Sequence, residues 1–152
     1  MDIGRWPIPR LLNRSGTFPD FTFSSFGAIP MSTRSRIAVK NQNGSYDSIY
    51  VHFDGYGHLP ILNQFYSTED KVRELINLGD LSVLGEEIGT KTDFSTFSGQ
   101  DQCLAYGRDR GETSTNPINS VDYGTLLGLA RNCGAEYLYI FEKGKRWGQI
   151  TL

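Results

Sequence analysis

Alternating apolar and polar positions predict a β-hairpin in residues 36–42 and 45–53. Successive side chains point to opposite faces of a strand, so every second residue would enter the core. The second run would bury three apolar side chains on one face, Ile49, Val51 and Phe53. Asn43-Gly44 lies between the runs, and both residues tolerate the positive φ angles of a type I′ turn.

Apolar residues at helical spacing predict three helices, over residues 60–66, 68–78 and 121–133. The second starts with a capping-box-like sequence at Ser67-Thr68-Glu69-Asp70, and Gly79 is a natural left-handed stop. Asn119 or Ser120 would cap the third. The short apolar piece 80–85 is interpreted as a further turn of helix.

The remaining apolar patterns predict strands over residues 102–108, 136–142 and 147–152, separated by polar loops at 90–101 and 111–119. The order is hairpin, helices, strand, helix, hairpin. This order predicts an α+β fold with an antiparallel or mixed sheet of about five strands and helices mainly on one face.

Residues 1–30 differ from the rest of the chain. They hold four of the six prolines and several aromatics without a sustained period. Because proline disrupts helix and ladder hydrogen bonds, we interpret them as an irregular extension. It is either an arm that packs on the domain or a partner, or a leader outside the domain. Residues 31–152 are predicted to form a single α+β domain, with Met31 where regular structure begins.

Composition excludes several classes of protein. The net charge of the 152 residues is -2, which argues against long nucleic acid as a ligand. Two isolated cysteines, Cys103 and Cys133, fit neither a disulfide framework nor a zinc site. No apolar run approaches the roughly 20 residues of a membrane span, and no signal-peptide pattern is present. We therefore expect an intracellular protein with no cofactor, metal or membrane contact.

Both histidines lie in residues 50–58, the densest run of chemistry in the chain. His52 and Asp54, two residues apart on a strand, would share a face, where Asp54 could orient the imidazole as a general base. A half-exposed structural role and a binding role are the alternatives, and no known metal spacing matches. The candidate binding residues of this run are Tyr50, His52, Asp54, Tyr56 and His58.

A second polar run, Arg108-Asp109-Arg110-Gly111-Glu112, ends the predicted middle strand. Two arginines flanking an acid can bind phosphate or carboxylate, or can form an internal salt-bridge cluster. Asp54 is a candidate partner for Arg108. If they meet beside His52, a small polar pocket would form next to a tyrosine-rich surface that includes Tyr50 and Tyr139.

These motifs resemble a family of small proteins encoded by bacteriophages and prophages, over about residues 31–152. The resemblance rests on Met31-Ser32-Thr33-Arg34-Ser35-Arg36-Ile37, His52-Phe53-Asp54-Gly55-Tyr56, Tyr106-Gly107-Arg108-Asp109-Arg110-Gly111-Glu112 and Tyr137-Leu138-Tyr139-Ile140-Phe141. Phe53 stands where the family pattern has Trp. The resemblance implies a phage context and no catalytic assignment.

The expected function is non-enzymatic binding and inhibition of a host protein, such as a defence component including CRISPR machinery, in the host cytoplasm. Catalytic motifs are absent from the sequence, and tyrosine with arginine is typical of protein interfaces. The alternative is a nucleotide or phosphorylated-ligand binding protein or hydrolase that uses His52, Asp54, Arg108 and Arg110. A structural or assembly factor is a third possibility.

Overall fold

The computed structural model of the chain describes residues 32–96 and 101–152, and Thr33–Leu152 form one compact unit. The predicted extension at residues 1–30 lies outside the described residues, as does part of the predicted loop at 90–101.

The described residues form one mixed seven-stranded sheet and four α-helices. The strands are β1 Ser35–Lys40, β2 Tyr46–Val51, β3 Leu81–Val83, β4 Leu104–Ala105, β5 Ile118–Ser120, β6 Tyr137–Phe141 and β7 Gly148–Thr151. The helices are α1 His58–Phe65, α2 Glu69–Asn77, α3 Tyr106–Arg110 and α4 Tyr123–Asn132. Two 3-10 turns cover Gly55–Gly57 and Phe94–Thr96. The α+β class is confirmed, with more strands than the five expected.

The strand order is β4-β3-β2-β1-β6-β7, and β5 pairs with β2 beside β3. The pairs β1–β6 and β2–β3 are parallel, and the other pairs are antiparallel. The two long strands β1 and β2 therefore lie at the centre, where both of their faces are covered.

The hairpin of β1 and β2 is confirmed, but its turn differs from the prediction. Gly44 has a positive φ of 88°, whereas Asn43 does not. The N–H of Gly44 donates to the carbonyl of Asn41, and the N–H of Asn41 donates to Ser45. This is the longer hairpin turn that ends on a left-handed glycine.

Apolar side chains cover both faces of the sheet. On one face α1 and α2 pack over the alternate residues of β1, β2 and β6, and the buried stripe of α2 is as predicted: Val72, Leu75 and Ile76. Thr68 caps α2 by accepting the N–H of Lys71. On the opposite face α4 packs through Leu126 and Ala130 onto Ala38 and Leu138. The tyrosine face of β6 consequently belongs to the interior.

Phe53 does not belong to the core. Strand β2 ends at Val51, and Phe53 is 41% exposed. The chain turns here because Asp54 adopts a left-handed conformation with φ 61°. Gly55 then packs so closely that a Cβ would lie 2.7 Å from the carbonyl oxygen of Thr33. The alternation of apolar and polar residues in the sequence does not show that the strand ends before Phe53.

The piece at residues 80–85 is strand β3, not a turn of helix. The N–H groups of His52 and Phe53 donate to the carbonyls of Leu81 and Ser82. Short apolar runs read alike as helix or strand, and the free edge of β2 decides the outcome here.

The predicted strand over residues 102–108 is only two residues long. The chain enters α3 at Tyr106 because the carboxylate of Asp109 accepts the N–H of Ala105 at 2.8 Å. Gly111, at φ 77°, then ends the helix. Such a side-chain-to-backbone bond competes with strand formation.

The segment before α4 also differs from the prediction. Ile118 and Asn119, expected in a loop, form β5 against β2 together with Ser120. The cap of α4 is Asp122, which accepts the N–H of Thr125 at 2.8 Å, and neither Asn119 nor Ser120 caps it. Tyr123, the first residue of α4, is 42% exposed.

Candidate functional site

Tyr50 and His52 lie on the same face where β2 ends. The hydroxyl of Tyr50 is 2.7 Å from Nδ1 of His52. Burial raises the pKa of Tyr50, and the positive charge of Arg34 opposes this rise. Burial lowers the pKa of His52, and the positive charge of Arg34 lowers it further. The imidazole is therefore neutral at neutral pH.

The register of the sheet fixes Tyr50 in this position. Tyr50 lies opposite Arg36 of β1, so Arg34 and Arg36 share its face of the sheet. The N–H of Tyr50 donates to Oδ1 of Asp80 at 2.9 Å, in the gap between β5 and β3. Arg36 is buried and donates to the side chain and carbonyl of Ser48.

Further aromatic side chains extend this site in both directions. Tyr106 at the start of α3 contributes electrostatically to the raised pKa of Tyr50, and its phenol stacks on Phe94 with ring centroids 5.6 Å apart. The guanidinium of Arg110 lies 5.1 Å above the Phe94 ring. On the other side, the rings of His52 and Phe53 meet edge to face at 4.5 Å. We call these residues the aromatic row. It consists of two groups, Phe53, His52 and Tyr50 with Arg34, and Tyr106 and Phe94 with Arg110.

The loop after β2 carries the most exposed aromatics of this region. Tyr56 is 66% exposed and lies in the same loop as Phe53. Asp54 is also exposed, but no hydrogen bond or ion pair joins its carboxylate to His52 or to another of the described residues 32–96 and 101–152. The predicted pair of a general base and its orienting carboxylate is therefore not formed, because the left-handed turn at Asp54 ends the strand alternation.

His58, predicted as a binding residue, is 1% exposed and holds the loop in place. Its Nε2–H donates to the carbonyl of Phe53 at 3.0 Å, which leaves Nδ1 to accept from the Ser35 hydroxyl at 3.1 Å. Burial lowers the pKa of His58 to about 4, although the bond to Phe53 acts in the opposite direction. The role of His58 is therefore structural.

Arg108 and Asp109 form an internal network. Asp109 is 6% exposed and accepts the N–H groups of Ala105 and Thr92 as well as Nε of Arg108. Burial alone would raise the pKa of Asp109, but these hydrogen bonds hold it below its ordinary value. Arg108 also donates to the carbonyl of Ile88. The structure thus places Arg108 in the salt-bridge cluster and does not bring it to Asp54.

Arg110 and Glu112 form an exposed ion pair at 3.1 Å. The side chain of Arg110 reaches the aromatic row through the ring of Phe94. Tyr139 is fully buried and donates its hydroxyl to the carbonyl of Gly55. Burial raises its pKa to about 12. Its assignment to a surface was wrong, because its side of β6 faces α1 and α2.

Other features of the described residues offer less. Two open clefts of about 200 and 270 Å³ are lined by residues on the side of α1 and α2, such as Asn63 and Glu69. No group of three or more His, Cys, Asp or Glu side chains in residues 32–96 and 101–152 is arranged to hold a metal ion. Within the same residues, none of the helices combines the length and the apolarity that crossing a bilayer requires.

Strand alternation in the sequence predicts correctly that Tyr50 and His52 are neighbours, but Arg34, Phe94 and Tyr106 were not predicted as members of the site. The alternation of β1 places Arg34 on the face of Arg36, which is a usable signal. Nothing in the sequence brings Phe94 to Tyr106, because that contact depends on the turn into α3. In comparisons with known proteins, no family model, curated protein or solved structure matches this chain.

Proposed function

We propose that this chain is a phage-encoded accessory protein that binds and inhibits a host protein in the host cytoplasm, with the aromatic row as its contact surface. A component of a host defence system, such as CRISPR machinery, is the first candidate target. The phage context rests on the resemblance of the sequence motifs. The mode of action rests on the structure of the row.

The combination of aromatic rings with an arginine in each group of the row is the observation that carries this proposal. Phe53, His52 and Tyr50 contact one another on the face that Arg34 shares, and Tyr106 stacks on Phe94 with Arg110 over the Phe94 ring. Tyrosine and arginine carry much of the binding energy at protein interfaces, because they combine a large apolar area with polar ends. The exposed rings of Phe53 and Tyr56 add apolar area at one end.

The alternative of a nucleotide-binding pocket or hydrolase has less support. It needs His52, Asp54, Arg108 and Arg110 around one concave site. Arg108 is instead bound to Asp109 and to backbone carbonyls, while Arg110 is paired with Glu112. His52 makes its hydrogen bond to Tyr50 and not to Asp54. The four side chains thus belong to separate local arrangements.

The test is affinity capture from lysate of a host of related phages, followed by calorimetry with the purified captured protein. The informative variant replaces both Phe53 and Tyr56 by alanine, since both are exposed and outside the core. We expect its affinity to fall at least about a hundredfold, which corresponds to the loss of two interface anchors.

The matched control replaces Val121 and Tyr123, two exposed apolar residues at the start of α4, by alanine. It removes a similar apolar area elsewhere and should bind as the wild type does. Equal binding by the Phe53/Tyr56 variant and the wild type would refute the use of this surface. Turnover of a nucleotide that disappears in His52→Ala would favour the hydrolase.

A further inference from the structure

Arg34, Tyr50 and His52 share one face where β2 ends; we call these three side chains the hub. The positive charge of Arg34 acts on the Tyr50 phenol, and arginine carries only hydrogen-bond donors. Among the described residues, Nδ1 of His52, 2.7 Å away, is the one acceptor within hydrogen-bond distance of the Tyr50 hydroxyl, so we assign the hydroxyl hydrogen to that bond. A neutral imidazole that accepts at Nδ1 carries its hydrogen on Nε2.

The hub therefore presents only donors to a ligand. Nε2–H of His52 has no hydrogen-bond acceptor among the described residues, and Arg34 is exposed with further N–H groups available. No carboxylate in the described part of the chain lies within 4 Å of the Arg34 guanidinium, whereas Lys40, Arg73 and Arg110 each have one.

The surroundings strengthen this preference for a negative group. Arg36, the neighbour of Arg34 on the same face, is buried, and its bonds go to Ser48 and weakly to the Cys133 thiol. The next carboxylate along the face, Asp80, accepts the N–H of Tyr50 and is raised in pKa by its own burial. The region thus holds two arginine charges with no carboxylate in direct contact among the described residues.

We propose that the hub is a carboxylate-binding site, and that the partner inserts an aspartate or glutamate side chain there to accept hydrogen bonds from Arg34 and from Nε2 of His52. This inference rests on the proposed function, since it names the chemistry of the partner at the aromatic row. Carboxylates only accept, and charge-assisted bonds to them are among the strongest in proteins.

An acidic protein segment fits this site better than nucleic acid does. Single-strand binding needs a continuous positive track beside the stacked bases. Here the net charge of the chain is -2, and Arg110 at the far end of the row is paired with Glu112. The hub is a single group of hydrogen-bond donors within the aromatic row. It therefore fits an acidic side chain that is flanked by apolar side chains.

The test is an NMR titration of the full chain with an acetylated octapeptide of alternating Glu and Ala, and with the matched peptide of Gln and Ala. We expect the acidic peptide to shift the amide signals of Arg34, Tyr50 and His52 and to bind roughly tenfold more tightly than the neutral peptide. Arg34→Gln should abolish this difference, and His52→Phe, which removes the second donor, should reduce it.

Arg146→Gln is the matched control, because it removes one exposed arginine beside the cleft at Trp147, on the side of α1 and α2. It should leave the titration unchanged. Equal affinity for the two peptides, or no shift at the hub up to about 5 mM of either, overturns the proposal. Tighter binding of an oligothymidylate of the same length, or of inorganic phosphate, also overturns it.

Different experimental results would refute the carboxylate-binding site and the proposed function. If the Phe53/Tyr56 variant loses the captured protein while Arg34→Gln keeps it, the surface is right and the carboxylate site is wrong. If both variants keep the captured protein, the contact surface itself is wrong.

Discussion

Nδ1 of His58 and the hydroxyl of Ser35 lie 3.1 Å apart in the interior, and this contact joins the start of α1 to the start of β1. The other ring nitrogen donates to the carbonyl of Phe53. One buried imidazole thus fixes the loop whose tip exposes Phe53 and Tyr56. The placement of the exposed aromatics depends on an uncharged His58.

This dependence predicts that stability falls in acid. The pKa of His58 is about 4 in the folded chain, below its ordinary value of 6.5. Between these values the unfolded chain binds the proton and the folded chain does not, so stability rises with pH through this window. The difference between the two pKa values corresponds to about 3 kcal/mol of free energy of unfolding, which is lost as the pH falls through this window. Urea unfolding between pH 4 and 7.5 measures it.

The control for the acid effect is His58→Gln, which can keep one donor and one acceptor but does not titrate. The other ionisable groups are the same in both proteins, so the difference between their pH profiles reports His58. Identical slopes of stability against pH in the two proteins would show that His58 is not responsible.

Asp109→Asn should destabilise the chain by about 3 kcal/mol. The substitution removes a buried carboxylate that accepts hydrogen bonds from Ala105, Thr92 and Arg108. Glu112→Gln removes a carboxylate from a half-exposed ion pair and should cost no more than about 1 kcal/mol. Urea unfolding at neutral pH compares them. Equal costs would contradict the structural role of Asp109.

Gly85→Ala should destabilise by about 3 kcal/mol, since the added Cβ would overlap the backbone of Gln102. Gly57→Ala is the matched change in open space, with nothing within 4 Å of its Cβ and a negative φ of -102°. It should alter stability by less than about 1 kcal/mol. Thermal unfolding distinguishes the two, and a neutral Gly85→Ala would show that the backbones are not in close contact.

The two thiols should react with iodoacetamide at different rates. Cys103 is fully buried, its pKa is raised by that burial, and its sulfur contacts the Tyr66 hydroxyl at 3.4 Å. Cys133 is only partly buried. We expect Cys133 in the native chain to react at least about tenfold faster, and Cys133→Ser to remove the fast phase. A fast phase that survives in Cys133→Ser would assign the accessible thiol to Cys103.

The sequence by itself determined the elements whose signal is local. The alternation on both sides of Asn43-Gly44 specifies the central hairpin, and the cap at Thr68 with the stripe of Val72, Leu75 and Ile76 specifies α2. It also placed Tyr50 and His52 on one face, because strand alternation continues up to the break at Phe53.

Tertiary structure decided the rest, because the deciding contacts join residues far apart in the chain. The free edge of β2 made a strand of Leu81–Val83, and the carboxylate of Asp109 stopped β4 after two residues. Packing under α1 and α2 drew His58 and Tyr139 inside. The turn into α3 brought Tyr106 onto Phe94. No local sequence pattern predicts that contact, so this part of the aromatic row forms only in the folded chain.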